Sequence, residues 1–366
     1  MWVHLLIIFT LLILGIILTL SNKKVLKIIF LVLTFCILFI LSAFRSANIG
    51  NDTYEYLQMY NKFGQALNIF EIDTDIEMGF VIINKILYSI NPSSIFLLIV
   101  TSALILSVML IFIYKNSNMV WLSVFLFINF RIYYFTLSGI RQSIALAIVL
   151  VSYKFLTEKK AIPFVITVLL ASTFHMSAIL FLIVYPISNI KYTKRVLAQY
   201  MVIGIFLLSL FNVFITLVFR FFPKYRVYLT SSYFESIKIA SIVEFLIIFI
   251  VLIFGLVVSY KNNNLLNLGS RLEFLKSNIM FHIITLAVVI NLVSINAGVI
   301  QRAALYFFIF VIIFVPKVIA EIKNKELRVL TTYIIIILTF TYNITILMYR
   351  PEWQYVYPYE FFWQIK

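Results

Sequence analysis

The sequence predicts an all-α, polytopic membrane protein of about ten spanning helices. Of its 366 residues, 63% are hydrophobic and only 12% are charged, whereas charged residues make up about 25% of a soluble globular protein. Several apolar runs reach the roughly 20 residues that a helix needs to cross hydrocarbon. The formal net charge of +15 does not indicate nucleic-acid binding, because the lysines lie in short loops between apolar runs, where they set topology.

Apolar runs of spanning length follow one another along the chain. The first run lacks a basic leader region and a small-residue cleavage site, so we interpret it as a retained span. We expect one transmembrane domain over residues 1–366, with spans near residues 1–20, 25–44, 94–114, 119–137, 138–157, 196–221, 238–260, 278–297, 300–320 and 329–349.

Two further apolar stretches do not fit a single span. Residues 78–90 are too few to cross hydrocarbon, which predicts a helix at the interface or dipping into it. Residues 161–190 are bracketed by lysines at both ends. Because basic residues in short loops favour the cytoplasmic face, both ends of this stretch are expected on that face. We therefore expect a short helical hairpin, with its bend near Phe174-His175.

The longest polar interval runs from Phe44 to Phe80, and within it residues 45–77 are predicted to form a polar loop on the outer face. Membrane proteins keep polar groups where water or a polar ligand satisfies them, so this loop is the first place to search for chemistry. Besides Arg45, it carries six of the fourteen acids of the chain, which are Asp52, Glu55, Glu71, Asp73, Asp75 and Glu77.

Basic residues predict the orientation of the chain. The loops of one face hold most of the lysines, whereas the opposite half holds most of the acids. The basic face is expected to be cytoplasmic, which puts both termini and the 45–77 loop outside.

Ionisable residues inside or beside apolar runs gather on that outer side. Each is costly near hydrocarbon. A single arginine is explained by snorkelling to phospholipid headgroups, but several beside a carboxylate-rich loop indicate a site. Arginine binds phosphate oxygens in pairs and stays charged in low dielectric, so the pattern favours a phosphorylated lipid such as a polyprenyl diphosphate. The residues concerned are Arg45, Arg131, Arg141, His175 and Arg302.

Five short motifs occur in order over most of the chain. They read Arg45-(x)4-Gly50-x-Asp52-x-Tyr54, Glu77-x-Gly79-Phe80, Arg131…Ile140-Arg141-Gln142-Ser143, Phe174-His175-x-Ser177-Ala178 and Arg302-x-x-x-Tyr306. No single motif is specific, but the ordered set resembles the EpsG-like family of bacterial polysaccharide proteins, which is grouped with Wzy-type polymerases of oligosaccharide repeat units.

The resemblance implies a metal-independent glycosyltransferase of the bacterial inner membrane, with a GT-C-like helical fold and an active site on the outer face. It implies no cofactor. The implied partners are the bilayer, an undecaprenyl-diphosphate-linked oligosaccharide donor and acceptor, and a flippase and chain-length regulator of the same pathway. Asp73-Thr74-Asp75 matches the metal motif D-x-D, but nucleotide sugars are absent from the outer face, so we interpret it as a solvated turn and expect no metal site.

Each motif residue has a hypothetical role in this reaction. The arginines would hold the donor diphosphate and stabilise it as leaving group, with Arg45 alternatively pairing with Asp52 to fix the loop. His175 is a candidate general base because the unperturbed pKa of histidine lies near neutrality, and Glu77 and Asp52 are the alternatives. The arginines are Arg45, Arg131, Arg141 and Arg302, and the candidate sugar contacts are Tyr54, Gln142 and Tyr306.

Other functions share parts of this pattern. A flippase for lipid-linked oligosaccharides would need charged residues on both halves of its spans and usually an internal repeat, and the sequence shows no repeat. A glycan ligase would use the same diphosphate chemistry on a different acceptor, and a membrane acyltransferase of the same pathway is also open. We expect His4 and His282 to lack polar company and interpret them as incidental.

Overall fold

The computed structural model confirms a helical, polytopic membrane protein. It describes residues 1–21, 23–68, 72–211, 213, 216–217, 220, 239–261, 271–296 and 298–364. Parts of the predicted spans 196–221, 238–260 and 278–297 lie outside these residues, as does Glu71 of the polar loop.

Helices account for most of the described chain. They are α1 (Trp2–Thr19), α2 (Lys24–Ala43), α3 (Thr53–Gln65), α4 (Met78–Ile90), α5 (Ile95–Asn116), α6 (Val120–Asn129), α7 (Ile132–Ser138), α8 (Ile140–Thr157), α9 (Ala161–Ser172), α10 (Val184–Ile187), α11 (Lys194–Ser209), α12 (Ile239–Lys261), α13 (Arg271–Ser294), α14 (Gly298–Phe308), α15 (Val311–Ala320) and α16 (Lys325–Tyr349), with 3-10 helices at Met176–Ile183, Pro351–Trp353 and Phe362–Gln364.

Among the described residues, seven helices are long and apolar enough to cross a membrane, and an eighth span results if the bent pair α6 and α7 counts as one. The two members of that pair meet at an angle of 52°. The predicted count of about ten spans stays a prediction. The seven are Trp2–Thr19, Lys24–Ala43, Ile95–Asn116, Ile140–Thr157, Ile239–Lys261, Ile300–Ala320 and Lys325–Tyr349.

The described chain divides into two compact units. Unit 1 consists of residues 1–154, 166–176 and 322–366. Unit 2 consists of residues 155–165 and 177–321. Each unit is described by itself below.

In unit 1, a helix lies inside the segment that was predicted as a polar loop. Helix α3 buries Tyr56, Tyr60 and Phe63, which are spaced so that they share one helix face. This face packs beside α4, whose bounds match the predicted short helix. Burying the aromatic face against α4 is what stabilises α3, because isolated helices of this length are marginal in water.

The predicted hairpin is observed over residues 161–187. Helix α9 ends at Ser172, and the chain turns at residues 173–175 before the 3-10 helix begins. In unit 2, the ring of Phe164 lies 6.0 Å from that of Phe181 and 5.4 Å from that of Tyr185. Lys159 donates to the carbonyl of Ser188 at 2.8 Å. The two arms therefore pack antiparallel at their open end.

Unit 2 is organised around α13, which packs against α11, α12 and α14. His282 on this helix bonds to the hydroxyl of Tyr200 at 2.8 Å and to the carbonyl of Ile190 at 2.9 Å. In unit 1, His4 bonds to the carbonyl of Val356 at 2.9 Å. The expectation that these two histidines lack polar company was wrong, because their partners are distant in the sequence.

Candidate functional site

The centre of the candidate site is an ion pair between Glu77 and Arg141. Glu77 precedes α4, and Arg141 is the second residue of α8. Oε2 of Glu77 accepts from Nη1 of Arg141, and Oε1 accepts from the backbone N–H of Met176 at 3.1 Å. The side chain of Glu77 is 12% exposed and that of Arg141 is 23% exposed, so the pair is partly shielded from water.

Tyr56 holds Arg141 from another direction. Its hydroxyl is hydrogen-bonded to the Arg141 side chain, and its ring packs on Phe80 with centroids 5.4 Å apart. Burial raises the pKa of Tyr56, so the hydroxyl is neutral at physiological pH. The buried Nε of Arg141 has no hydrogen-bond acceptor among the described residues.

The turn that carries His175 is clamped to the start of α4. The N–H of Gly79 donates to the carbonyl of Thr173 at 2.8 Å, so Glu77 and Gly79 together bind backbone on both sides of His175. A Cβ on Gly79 would lie 2.5 Å from Oγ1 and 2.6 Å from the carbonyl oxygen of Thr173. Only glycine allows this approach, which explains the spacing Glu-x-Gly in the motif. His175 itself is half-buried.

Arg45 lies buried against the end of α7. Its Nη2 donates to the carbonyl of Leu137 at 3.1 Å, its Nη1 to the carbonyl of Ser42, and its Nε to the hydroxyl of Thr53 at 3.4 Å. Burial lowers the pKa of Arg45 to about 10, which still leaves the guanidinium charged at neutral pH. These contacts tie the 45–53 segment to the end of α7.

Gly50 makes a second close approach to Leu137. Its φ of +88° lies in the region that favours glycine, and a Cβ there would lie 2.3 Å from the carbonyl oxygen of Leu137. The N–H of the next residue, Asn51, donates to the hydroxyl of Ser138 at 3.0 Å. The 45–53 segment is therefore hydrogen-bonded to the turn between α7 and α8, and only Gly139 separates Ser138 from the start of α8.

Asp52 and Tyr54 begin α3. Asp52 precedes the helix and is half-buried, and its carbonyl accepts from the N–H of Tyr56 at 3.0 Å. Tyr54 is exposed, whereas Gln142, next to Arg141 in α8, is buried. Of the two predicted sugar contacts in unit 1, Tyr54 is therefore the one with an exposed side chain. Asp73 and Asp75 of the D-x-D sequence are exposed.

Arg131 occupies the break between α6 and α7. It has a left-handed backbone with φ of 63°, and its Nη1 donates to Oδ1 of Asn343 at 3.2 Å. Its guanidinium carbon lies 5.3 Å from the ring centroid of Tyr134. Nδ2 of Asn343 donates to Oδ1 of Asn129 at 3.2 Å. Asn343, which was not predicted from the sequence, therefore links Asn129 at the end of α6 to Arg131 at the start of α7.

The C-terminal tail, which no motif covers, completes this end of unit 1. Its backbone receives bonds from the 45–51 segment: Ser46 N–H to Glu360 at 2.9 Å, Gly50 N–H to Tyr355 at 2.9 Å and the Asn51 amide to Glu352 at 3.2 Å. The His4–Val356 bond brings the start of α1 to the same place. We call this assembly, namely residues 45–53, 77–79, 137–141, 173–176 and 350–364, the loop end of unit 1.

Arg302 and Tyr306 lie in unit 2, both on α14. Arg302 is exposed, and Tyr306 is fully buried. The structure therefore brings Glu77, Arg141, Arg45 and the His175 turn together at the loop end of unit 1. Arg302 and Tyr306 stay predictions from the sequence.

The fold and the site together define a class of protein. It is a multi-pass helical membrane protein that gathers buried arginines and a carboxylate at one loop end. The chain belongs to the EpsG family, whose family model matches residues 28–361. It is therefore a polymerase-like membrane protein of polysaccharide biosynthesis. No curated protein and no solved structure matches it.

Proposed function

We propose that this protein is a repeat-unit polymerase. It transfers a growing glycan from one undecaprenyl diphosphate to the non-reducing sugar of a second lipid-linked repeat unit, on the outer face of the inner membrane. The reaction is a glycosyl transfer without metal or cofactor. The acceptor hydroxyl attacks the anomeric carbon, the bond to the diphosphate oxygen breaks, and the acceptor proton passes to a base.

The observation that carries the proposal is the way Arg141 is held. Glu77 and Tyr56 fix the guanidinium, and its buried Nε has no acceptor among the described residues. Leaving a buried donor unbonded costs about 1–3 kcal/mol, a cost that a ligand oxygen would remove. A fixed arginine with a spare donor suits a diphosphate leaving group, because preorganised donors aimed at developing negative charge are usually the largest catalytic contribution.

The contacts divide the other candidates by role. Glu77 uses one carboxylate oxygen on Arg141 and the other on Met176, which favours a positioning role over that of base. His175 and Asp52 then remain as base candidates. His175 is favoured, because the clamp between Gly79 and Thr173 fixes the turn that carries it.

The other three arginines are proposed to have different roles. Arg45 bonds to two backbone carbonyls, which supports a role in fixing the loop through the backbone, and its pairing with Asp52 stays a prediction. Arg131 is held by Asn343 and is proposed as a second diphosphate ligand. Arg302 is proposed as a ligand from the family motif, and Tyr54, Gln142 and Tyr306 as sugar contacts. A flippase and a chain-length regulator are the proposed partners.

The test is the glycan ladder of cells that lack this protein and are complemented with variants. Arg141→Lys keeps the charge but loses the planar fork, and we expect it to export single repeat units without long glycan. Arg195→Ala is the matched control, because Arg195 is exposed at the start of α11. Membrane levels of each variant are measured alongside.

Two outcomes favour the alternatives. Repeat units that accumulate on the cytoplasmic leaflet in the deletion strain support a flippase. Long glycan that stays on undecaprenyl diphosphate and fails to reach its final acceptor supports a ligase. Either result removes the polymerase proposal.

A further inference from the structure

A row of aromatic rings continues from the surface of α2 into the C-terminal tail. Phe35 and Phe39 stack with centroids 5.3 Å apart, and Phe39 lies 6.2 Å from Phe44. Phe44 in turn lies 6.2 Å from Phe362 and 6.3 Å from Trp363. We call these five residues the aromatic row.

Backbone bonds fix the tail on this row. The N–H of Phe362 donates to the carbonyl of Phe44 at 3.0 Å, and Ser46 pairs with Glu360 next to it. The ring of Phe361 stacks on Trp363 at 4.5 Å. The tail therefore lies on the end of α2 as a fixed strap, with its outer side formed by aromatic rings.

The outer side of this strap is exposed although it is apolar. Phe362 is 44% exposed and Trp363 is 59% exposed. The exposed rings are continuous with a helix that is itself apolar on its outer side, where Val32, Leu33 and Ile40 are also exposed. Large contiguous apolar patches on a protein mark an interaction surface.

The level of the strap along α2 identifies what covers it. Helix α2 has 20 residues, which gives about 30 Å at 1.5 Å per residue, equal to the hydrocarbon thickness of a bilayer. The strap begins directly beyond the last residue of this span. Trp and Tyr concentrate at this level in membrane proteins, where the ring is apolar and its N–H or O–H meets the headgroups.

Two other spans end in exposed aromatic residues at the same end of unit 1. Trp2 opens α1 and is 85% exposed, and Tyr349 closes α16 and is 73% exposed. The bond between His4 and Val356 places the start of α1 beside the tail. The start of α1, the end of α16 and the strap on the end of α2 thus all carry exposed aromatic rings at the same end of unit 1.

We propose that Phe362 and Trp363 dock the C-terminal tail into the lipid headgroup interface. The tail then acts as an interfacial strap that holds the 45–53 segment at the membrane surface. This interaction is independent of the proposed polymerase reaction, so either can fail alone.

The test is tryptophan fluorescence of the full chain in bilayers of brominated phosphatidylcholine. The substitutions Trp2→Phe, Trp121→Phe and Trp353→Phe leave Trp363 as the one tryptophan of the chain. We expect bromines on the upper acyl carbons to remove most of its emission, and bromines near the chain ends to remove clearly less. Emission that no brominated lipid reduces overturns the proposal.

A second variant keeps the test informative if the three substitutions prevent folding. Trp363→Cys combined with Cys36→Ser carries a polarity-sensitive label in an otherwise native chain. We expect a blue shift on transfer from detergent to bilayer. A label that keeps its aqueous emission in the bilayer, or that responds to added glycan instead, shows a water- or glycan-facing tail and overturns the proposal.

Discussion

Glu77 and Arg141, 64 residues apart in the chain, form an ion pair that also fixes the backbone of Met176 through the second carboxylate oxygen of Glu77. One carboxylate thereby sets the position of a guanidinium and of the turn that carries His175. The Glu-x-Gly-Phe and Arg-Gln-Ser motifs each contribute one part of this arrangement.

Glu77→Ala is expected to lower stability and abolish long glycan. Breaking a fully buried pair costs about 3–5 kcal/mol, so with both side chains slightly exposed we expect about 2 kcal/mol. The measurement is thermal unfolding in nanodiscs together with the glycan ladder. In a double-mutant cycle with Arg141→Ala, a coupling near zero would contradict a stabilising pair.

Gly79→Ala is expected to displace the His175 turn. The added Cβ meets the Thr173 backbone at contact distances that side chains do not tolerate, and overpacking costs about 1–3 kcal/mol. Gly204→Ala is the control, since its Cβ meets Leu292 and Val289 at ordinary distances of 3.4–3.6 Å. We expect glycan length to fall for the first variant alone; equal glycan ladders would contradict the clamp.

The class of the protein and two local features could be predicted from the sequence. Hydrophobic runs determine helices, so the bounds of α4 follow from its short apolar run. The hairpin that bends at residues 173–175 follows from the lysines that bracket residues 161–190. Helix α3 was missed because the polar residues of the segment dominate its composition. The spacing of Tyr56, Tyr60 and Phe63 is the signal that indicates it.

The contacts of the site could not be predicted, because they join distant residues. Arg45 and Leu137 are 92 residues apart, and Arg131 and Asn343 are 212 apart. Periodicity along one helix contains no information on which loops meet. Asn343 could have been noticed as a polar residue inside an apolar span, which indicates function by default.

Asn343→Ala is expected to loosen Arg131 and shorten the glycan. The change removes the acceptor of Arg131 and the donor to Asn129, and a lost buried partner costs about 1–3 kcal/mol. Thr339→Val, one turn earlier on α16, is the control, because Thr339 bonds within its own helix. Unfolding temperature and glycan length are measured for both. An Asn343→Ala protein with wild-type glycan would exclude Arg131 as a ligand that depends on this contact.

Gly50→Ala is expected to destabilise the loop end of unit 1. Left-handed backbone costs about 1–2 kcal/mol for a residue with a Cβ, and the clash with Leu137 adds to it. Limited proteolysis of the 45–53 segment in membranes measures the effect, with Gly204→Ala again as the control. Unchanged cleavage would show that the strained glycine is not needed to seat the segment.

Comparing variants of His175 and His282 distinguishes a catalytic role from a structural one. His282 holds Tyr200 and Ile190 together inside unit 2, so His282→Ala should lose about 1–3 kcal/mol of stability while the folded fraction still makes long glycan. His175→Gln keeps a polar side chain but cannot take up a proton, so we expect a stable protein that makes no long glycan. If His175→Gln makes glycan of full length, His175 is not the base, and Asp52→Asn becomes the deciding variant. If both histidine variants unfold to the same extent and lose glycan together, His175 is structural as well, and the clamp around it serves to hold the turn rather than a proton acceptor.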